Sequence, residues 1–516
     1  MTGTHLTMIG MGLMKVMEKL GAGLKASSVI SGAIMIFYGV FTGNSVSTLR
    51  AVIMFLLYAG AKVIGRTYDM LSALAFSGIF ILAENPGYLY HSGFLLSYTA
   101  VAGIGVLVPA LQMKDKRKKK SRVKEGLAGG IAVFLAQFPV MQYFFYEIPV
   151  FSLAVNLLVI PLLPLILASG FLGLVTGAGF PVLGKFFLTG ACLLLRFYNL
   201  TGELLREVPF ASLVTGQPAF WQAGVYYAAL AALVGAGRRM SGKMFALGIV
   251  TVSVFLCLRP PGKFQLTMLD VGQGDCLAVE TLTDHFYLTD GGSSSVQNVG
   301  TYRILPFMKQ RGVGKVEGIF VTHGDEDHVN GIEELLGEIR VKQLFLPVWM
   351  REAEDQSLQK RAKEEKTAIR YLQQGDIIRD GDVTFHVLYP DEEETGEDGN
   401  SGSLTLKVEY GKLKILLTGD LTGNGEEKVK KENISCQILK VAHHGSGSST
   451  DEEFLDKARP DFALISCGER NRYGHPAPEL LRRLKSKGIR VYDTRKDGAV
   501  SFTCDERGRL TIETFH

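Results

Sequence analysis

The 516-residue sequence predicts two unlike parts in series: a polytopic α-helical membrane domain over residues 1–260, then a soluble α/β domain over 261–516. Three observations carry that expectation. Charge is divided, with 22 Lys/Arg against 8 Asp/Glu in residues 1–263 and 33 against 43 in residues 264–516. Nearly all the long apolar runs fall in the first part. From Phe264 the apolar pattern shortens to the length and period of strands. These patterns exclude a single soluble domain, a disordered chain and a small disulfide scaffold. Six scattered cysteines without C-x-x-C spacing argue against a zinc knuckle or a thioredoxin-like site.

A spanning helix needs ~20 mostly apolar residues. The stretches 29–41, 49–64, 70–83, 89–111, 126–146, 150–175, 180–200, 220–236 and 244–258 qualify as eight or nine spans, and Pro161 and Pro164 mark 150–175 as broken or re-entrant. Orientation follows from Lys and Arg in short loops. The basic run 114–120, with Arg122 and Lys124, belongs on the cytoplasmic side. Four spans later Arg238, Arg239 and Lys243 fall on the same side. One more span then puts everything after Arg259 outside the cytoplasm.

In the second part, strands are expected at 265–269, 277–280, 286–289, 318–322, 343–347, 384–389, 404–410, 414–418, 438–442 and 462–466. Helices are expected at 331–336, 352–371, 452–458 and 478–487. Strands and helices in turn indicate α/β layering. The acidic run 391–398 reads as a solvated loop.

The sharpest chemical signal is Thr322-His323-Gly-Asp325-Glu-Asp327-His328, between an apolar strand and a helix. Two imidazoles and two carboxylates within six residues at a strand end are metal-ligand types converging on one point. Three weaker signals accompany it: a strand ending in Thr418-Gly-Asp420, a strand running into Ala442-His443-His444-Gly-Ser446, and the loop Arg472-Tyr-Gly-His475-Pro. Five of the ten histidines therefore sit at loop mouths.

Together these motifs resemble the metallo-β-lactamase fold, an αββα sandwich, whose signature H-x-[HD]-x-D-H is followed by a strand-end Asp and a later His. Met268-Leu-Asp270-Val-Gly-Gln-Gly-Asp275 and Leu288-Thr-Asp290-Gly-Gly292 resemble one branch of it, the C-terminal domain of ComEC-type DNA-internalisation competence proteins. Their polytopic competence domain is resembled by the first half, through Gly3-Thr-His5-Leu, Ser47-Thr-Leu-Arg50-Ala, Asn85-Pro86 and Gly93-Phe-Leu-Leu-Ser97-Tyr-Thr-Ala100-Val. The chain begins almost inside a competence-domain motif, so an N-terminally truncated or split product is expected.

The resemblance implies DNA uptake in natural transformation: a bacterial cell-membrane channel passing single-stranded DNA, with an extracytoplasmic nuclease domain degrading DNA. It implies two divalent ions, manganese or zinc, that acidify a bound water and clamp a phosphodiester for in-line attack. His323, Asp325, His443 and a bridging Asp420 are assigned to one ion; Asp327 and His328, with Asp420, serve the other. Asp327, His444 and His475 are the catalytic candidates, His444 as a phosphate contact or a group supporting a ligand, His475 as terminal ligand or leaving-group acid. Asp325 stands where most relatives of the fold have His, which hardens the ligand set towards manganese. His386, mid-strand, reads as structural, and Asn400-Ser-Gly-Ser403 offers amide, hydroxyl or water ligands instead. His5, Arg50 and His91 are the channel candidates. Expected partners are double-stranded DNA as substrate, its single-stranded product, the lipid bilayer, other components of the uptake machinery, and a second copy of the chain. The competing readings are a membrane-anchored metallohydrolase acting on another substrate, and an inactive remnant of a split channel protein.

The net charge of residues 264–516 gives no long-range attraction to DNA. Local phosphate contacts are left to Arg470, Arg472, Arg482, Arg483, Lys485, Lys487 and Arg490, near His475.

Overall fold

A long apolar segment in lipid must satisfy its backbone groups within itself, and the helix does so. The computed structural model describes residues 2–112, 122–206, 208, 211–236, 240–260, 262–353, 356–396 and 399–515. The basic run 114–120 and Arg238-Arg239 lie outside the described residues, as do the side chains of His5, Arg122 and Lys124. The chain divides into two units, Met1–Leu258 and Arg259–His516.

In the first unit the helices are α1 (Thr2–Lys19), α2 (Leu24–Phe41), α3 (Val46–Val63), α4 (Met70–Glu84), α5 (Ser92–Gln112), α6 (Arg122–Phe145), α7 (Ser152–Val159), α8 (Leu163–Gly177), α9 (Pro181–Arg206), α10 (Phe220–Ala236) and α11 (Gly242–Leu256). Two short strands, β1 (Glu147–Pro149) and β2 (Ser212–Val214), pair antiparallel. Among the described residues, six helical stretches are long and apolar enough to cross a membrane: α2, α3, Ser92–Leu111, Glu125–Phe145, Ser152–Gly177 and Pro181–Leu205. Helices α4, α10 and α11 are shorter apolar helices. Helix α1, with a weaker apolar pattern, was not among the expected elements. The 150–175 stretch is broken as expected: a single 3₁₀ turn, Ile160–Leu162, joins α7 to α8 around Pro161, and Pro164 sits in the first turn of α8, where its missing N–H costs no helical bond. The burial pattern is that of a lipid-facing bundle: Phe37, Phe80, Leu174 and Phe186 are exposed, while Ser27, Ser31, Ser77 and Gln142 are buried.

The second unit is an αββα sandwich. Its strands are β3 (Phe264–Met268), β4 (Leu277–Glu280), β5 (Phe286–Thr289), β6 (Lys315–Val316), β7 (Gly318–Phe320), β8 (Arg340–Val341), β9 (Gln343–Pro347), β10 (Ala368–Leu372), β11 (Ile377–Asp380), β12 (Val383–Tyr389), β13 (Thr405–Tyr410), β14 (Leu413–Leu417), β15 (Ile438–Lys440), β16 (Phe462–Ile465), β17 (Arg490–Asp493), β18 (Ala499–Cys504) and β19 (Leu510–Phe515). Among the described residues one sheet runs β10-β9-β7-β5-β4-β3-β18-β19 and the other β11-β12-β13-β14-β15-β16-β17. Strand alternation builds the layers. In β14, Ile415 and Leu417 join Leu266, Phe320, Phe385 and Phe502 in the core between the sheets, while Leu416 faces the outer layer. The helices α12 (Leu305–Gln310), α13 (Glu326–Glu338) and α14 (Ser357–Glu364) belong to the first sheet's outer side. There Ile332, Leu335 and Leu358 pack with Leu288, Ile319 and Leu344. On the second sheet, α16 (Glu452–Ala458) and α17 (Pro478–Ser486) bring Phe454, Leu455, Leu480 and Leu484 against Leu439 and Ile465, with α15 (Gly423–Val429) before them in sequence and α18 (Thr494–Asp497) after.

Two expectations need correction. The 352–371 helix is only α14; its last part is β10, pairing in parallel with β9 from Ala368 to Leu372. The strands β11, β17, β18 and β19 were not anticipated. Parallel pairing of β5 with β7, of β14 with β15 and of β15 with β16 sets the C-terminal ends of paired strands side by side.

Candidate metal centre

The metal-ligand types sit where strands end. His323 follows β7, Asp327 and His328 fall in the first turn of α13, Asp420 follows β14, and His443 and His444 follow β15. Three glycines make the close approach. A Cβ on Gly292 would lie 2.4 Å from the His328 N, and one on Gly274 would lie 2.5 Å from the Asp327 carbonyl oxygen. At Gly419, with φ +53, a Cβ would meet the Thr322 side chain at 2.7 Å. The Asp270–Asp275 and Asp290–Gly292 motifs are thus the walls against which the His323–His328 loop is pressed.

Asp290 organises that loop. Its carboxylate accepts from the Thr322 N and Oγ1, both at 2.8 Å, and from His328 Nδ1 at 2.9 Å. His444 Nδ1 donates to the Ser466 carbonyl at 2.9 Å. Each ring therefore turns its Nε2 inward, the arrangement by which a fixed partner selects the ligating nitrogen. Inside, His328 Nε2 lies 3.4 Å from Asp420 Oδ1, and His444 Nε2 lies 3.3 Å from Asp420 Oδ2 and 3.4 Å from Asp327 Oδ2. His323, His328 and Asp420 present ligand atoms within 4.8 Å of one another, and so do Asp327, His328 and His444.

The Nε2 atoms of His323, His328 and His444 and Oδ1 of Asp420 are buried without a hydrogen-bond partner among the described residues. Buried polar groups are normally satisfied. A convergent set of nitrogen and carboxylate oxygen atoms left open in this way is the donor set of a divalent transition metal.

The electrostatics agree. Burial opposes the charged imidazolium, yet Asp420 and Asp290 hold the His328 pKa well above its ordinary value, and Asp420 and Asp275 do the same for His444. Burial likewise works against ionised Asp420, but His444 and His328 hold it well below the carboxylate range. At the rim, burial pushes His443 and His475 down.

Not every expected residue joins the cluster. The carboxylate of Asp325 is largely exposed and 3.5 Å from His323 Nε2, and His443 Nε2 is 4.0 Å from Asp420 Oδ2. The His475 ring lies 5.6 Å from His443, one step further out. The expected grouping of His443 with the metal ligands, and of His444 as a support, is not the arrangement seen. Both residues adopt left-handed φ, 51° and 53°, and that turn carries His444 inward and leaves His443 at the edge. Asn400 Oδ1 and Ser403 Oγ are buried without partners, and Gly399 beside them approaches His323 and Asp325. His386 stays mid-strand beside Glu409, away from the cluster. Of the basic group, Arg483 donates to the carbonyls of Ser449 and Thr450 and Lys487 pairs with Asp456, so these two are structural braces.

Lys440 and Asp275 were missed as site residues. Lys440 is fully buried, pairs with Asp275, donates to the Gly419 carbonyl at 3.0 Å and stands 3.7 Å from Asp420 Oδ1. A lysine inside an otherwise apolar strand is the signal by which it could have been found.

Of the channel candidates, Arg50 is buried on α3, donating from Nε to Ser97 Oγ at 2.6 Å. His91 is exposed before α5 and accepts from the Gly93 N. His5 lies on α1.

The comparisons with known proteins divide the chain as its chemistry does. The family model described as competence protein matches residues 1–239, and that of the metallo-β-lactamase superfamily matches residues 269–469. ComE operon protein 3 of Bacillus subtilis (strain 168) is 29% identical over 533 residues, covering 98% of this chain and 67% of that protein. Competence protein ComA of Neisseria gonorrhoeae is 28% identical, covering 100% of this chain and 72% of that protein. Among solved structures, the metallo-β-lactamase fold protein YhfI from Bacillus subtilis aligns at 13% identity and TM-score 0.31, over 45% of this chain and 96% of that one. The chain thus carries a competence-protein domain followed by a metallo-β-lactamase-superfamily domain, in the order found in relatives that align along nearly its whole length.

Proposed function

We propose that the protein takes up DNA in natural transformation. In this reading residues 1–260 form a competence-type membrane domain of eight or nine spans that passes one strand, and residues 261–516 form a metal-dependent nuclease. The observation that carries the nuclease reading is the convergence of buried, partnerless imidazole and carboxylate atoms at His323, His328, Asp420 and His444. The competence-type relatives support DNA as the substrate.

The chain's residues divide the work. His323, His328 and Asp420 would hold one divalent ion, and Asp327 and His444, with the second oxygen of Asp420, would hold the other. The Asn400 amide and the Ser403 hydroxyl supply weaker donors near His323. Such ions, manganese or zinc, supply Lewis acidity and lower the pKa of water. Asp325, with its exposed carboxylate, stays on the solvent side of the cluster. His475, held by Asn471 through N and carbonyl at 2.9 and 2.7 Å, is placed to pass a proton outward. Asp290 and the Ser466 carbonyl fix the rings from behind.

The nuclease domain is placed outside the cytoplasm. Basic residues in the sequence stretches 114–124 and 238–243 favour the cytoplasmic side for both, and helix α11 then precedes the second unit. The test of the nuclease reading is cleavage of labelled DNA by the detergent-solubilised chain with manganese, zinc or chelator. Metal-dependent cleavage that Asp327→Asn abolishes is expected. A folded chain that cleaves no DNA with either metal would overturn it in favour of a membrane-anchored hydrolase of another substrate.

A further inference from the structure

A line of rings leads from the cluster to solvent. His443 Nε2 is 4.0 Å from Asp420 Oδ2, the His475 ring is 5.6 Å from His443, and Tyr473 lies against His475 with centroids 5.7 Å apart and planes 25° from parallel. Tyr473 is 67% exposed. Among the described residues of the second unit the exposed large apolar side chains are Tyr302, Ile377, Tyr473 and Phe515, so a bare ring on the line out of the cluster is unusual in this unit.

The loop that carries the ring is tied down. Asn471 Nδ2 donates to the carbonyls of Gly468 and His475, its Oδ1 accepts from the His475 N, and the Gly468 N donates to Gln273 Oε1. Arg495 Nη1 adds a bond to the His475 carbonyl at 3.3 Å. Tyr473 is thus stacked on the His475 imidazole and keeps most of its surface open to solvent. Arg470 and Arg472, both exposed, precede it in sequence.

A flat, exposed aromatic on the path out of a phosphodiester site, preceded by two exposed arginines, matches one ligand chemistry: a nucleobase whose neighbouring phosphates are anionic. We propose that Tyr473, backed by His475, is the platform on which a base near the scissile phosphate stacks, with Arg470 and Arg472 meeting the backbone. The inference rests on the nuclease reading and adds how a single strand is held in register with the metal cluster. Stacking uses the π-face that every base has, so the platform accepts any sequence.

The test compares the full chain, Tyr473→Ala and Tyr473→Phe on a single-stranded oligonucleotide and on the same strand made abasic near its cleavage point. Cleavage is read as KM, and binding as fluorescence anisotropy under chelator. Tyr473→Ala is expected to raise KM and weaken binding roughly tenfold on the base-bearing strand, Tyr473→Phe to restore both, and the abasic strand to show no difference between the full chain and Tyr473→Ala. Cleavage with an unchanged KM, or an equal loss on the abasic strand, would overturn the platform and leave the nuclease reading standing. Tyrosine-dependent binding without cleavage would overturn the nuclease reading and keep the platform. Neither binding nor cleavage by the full chain would overturn both.

Discussion

Lys440 puts a positive charge where its neighbours are Leu439 and Val441, and Asp275 is the group that makes this tolerable. Burial pushes the Asp275 carboxyl up, but Lys440 and His444 together hold it below the ordinary range. A folded-state pKa below the unfolded value stabilises the fold above ~pH 3.9, and that contribution is lost as pH falls through the folded value. Removing one partner leaves an uncompensated buried charge, so Lys440→Met is expected to cost about 3–5 kcal/mol by chemical denaturation. Adding Asp275→Leu should recover most of that loss; simple addition of two penalties would contradict the pairing. The two histidines at the end of β15 separate as sharply. His444→Ala is expected to weaken manganese binding by roughly 100-fold or more and His443→Ala by less than about tenfold, measured by titration calorimetry. The sequence shows the pair His443-His444 but not which one turns inward, because that depends on two consecutive left-handed residues.

At the scale of elements, the strand ends carry the account. The end of β5 supplies Asp290, and Asp290→Ala removes the partner of His328 Nδ1 and of the Thr322 N and Oγ1 together. Metal affinity is expected to fall about 10- to 100-fold, with a thermal shift confirming that the unit remains folded. Gly292→Ala has a different effect, because its Cβ would press on backbone at Asp327 and His328; a loss of about 1–3 kcal/mol is expected from overpacking. Proton competition follows from the raised His328 and His444 values. Imidazoles whose folded pKa is raised stabilise the metal-free fold below ~pH 6.5 and lose that contribution as pH rises through the folded value. Metal must displace those protons, so apparent affinity should climb between pH 6 and 8, and a flat profile would contradict the assignment. The strands around the metal loop were legible because strands buried on both faces read as apolar runs. Strand β10 was not, since its edge position leaves Ala368 and Arg370 exposed, and so short a stretch reads as a continuation of the Lys- and Glu-rich helix before it.

For the whole molecule, the order of parts was legible from charge and apolar run length alone, and both family comparisons follow the same division. Arg50 is the residue that joins the membrane half to the proposed function. Its guanidinium is buried against Ser97 and Met54, an expensive placement in a spanning helix that marks a functional site by default. If the membrane half passes DNA, Arg50→Ala abolishes transformation while leaving protein level and nuclease activity intact. If that half is only an anchor, transformation is unaffected. The sidedness of the second unit rests on basic stretches of the sequence, and a cysteine introduced on its surface should react with a membrane-impermeant thiol reagent in intact cells.

The most direct measurement is the metal content of the purified chain by mass spectrometry, set beside its DNA cleavage. The account predicts two divalent ions per chain, loss of bound metal in Asp420→Ala, and cleavage that falls in proportion to the metal lost. A folded chain that binds no divalent ion, or that cleaves DNA equally well without one, would contradict it.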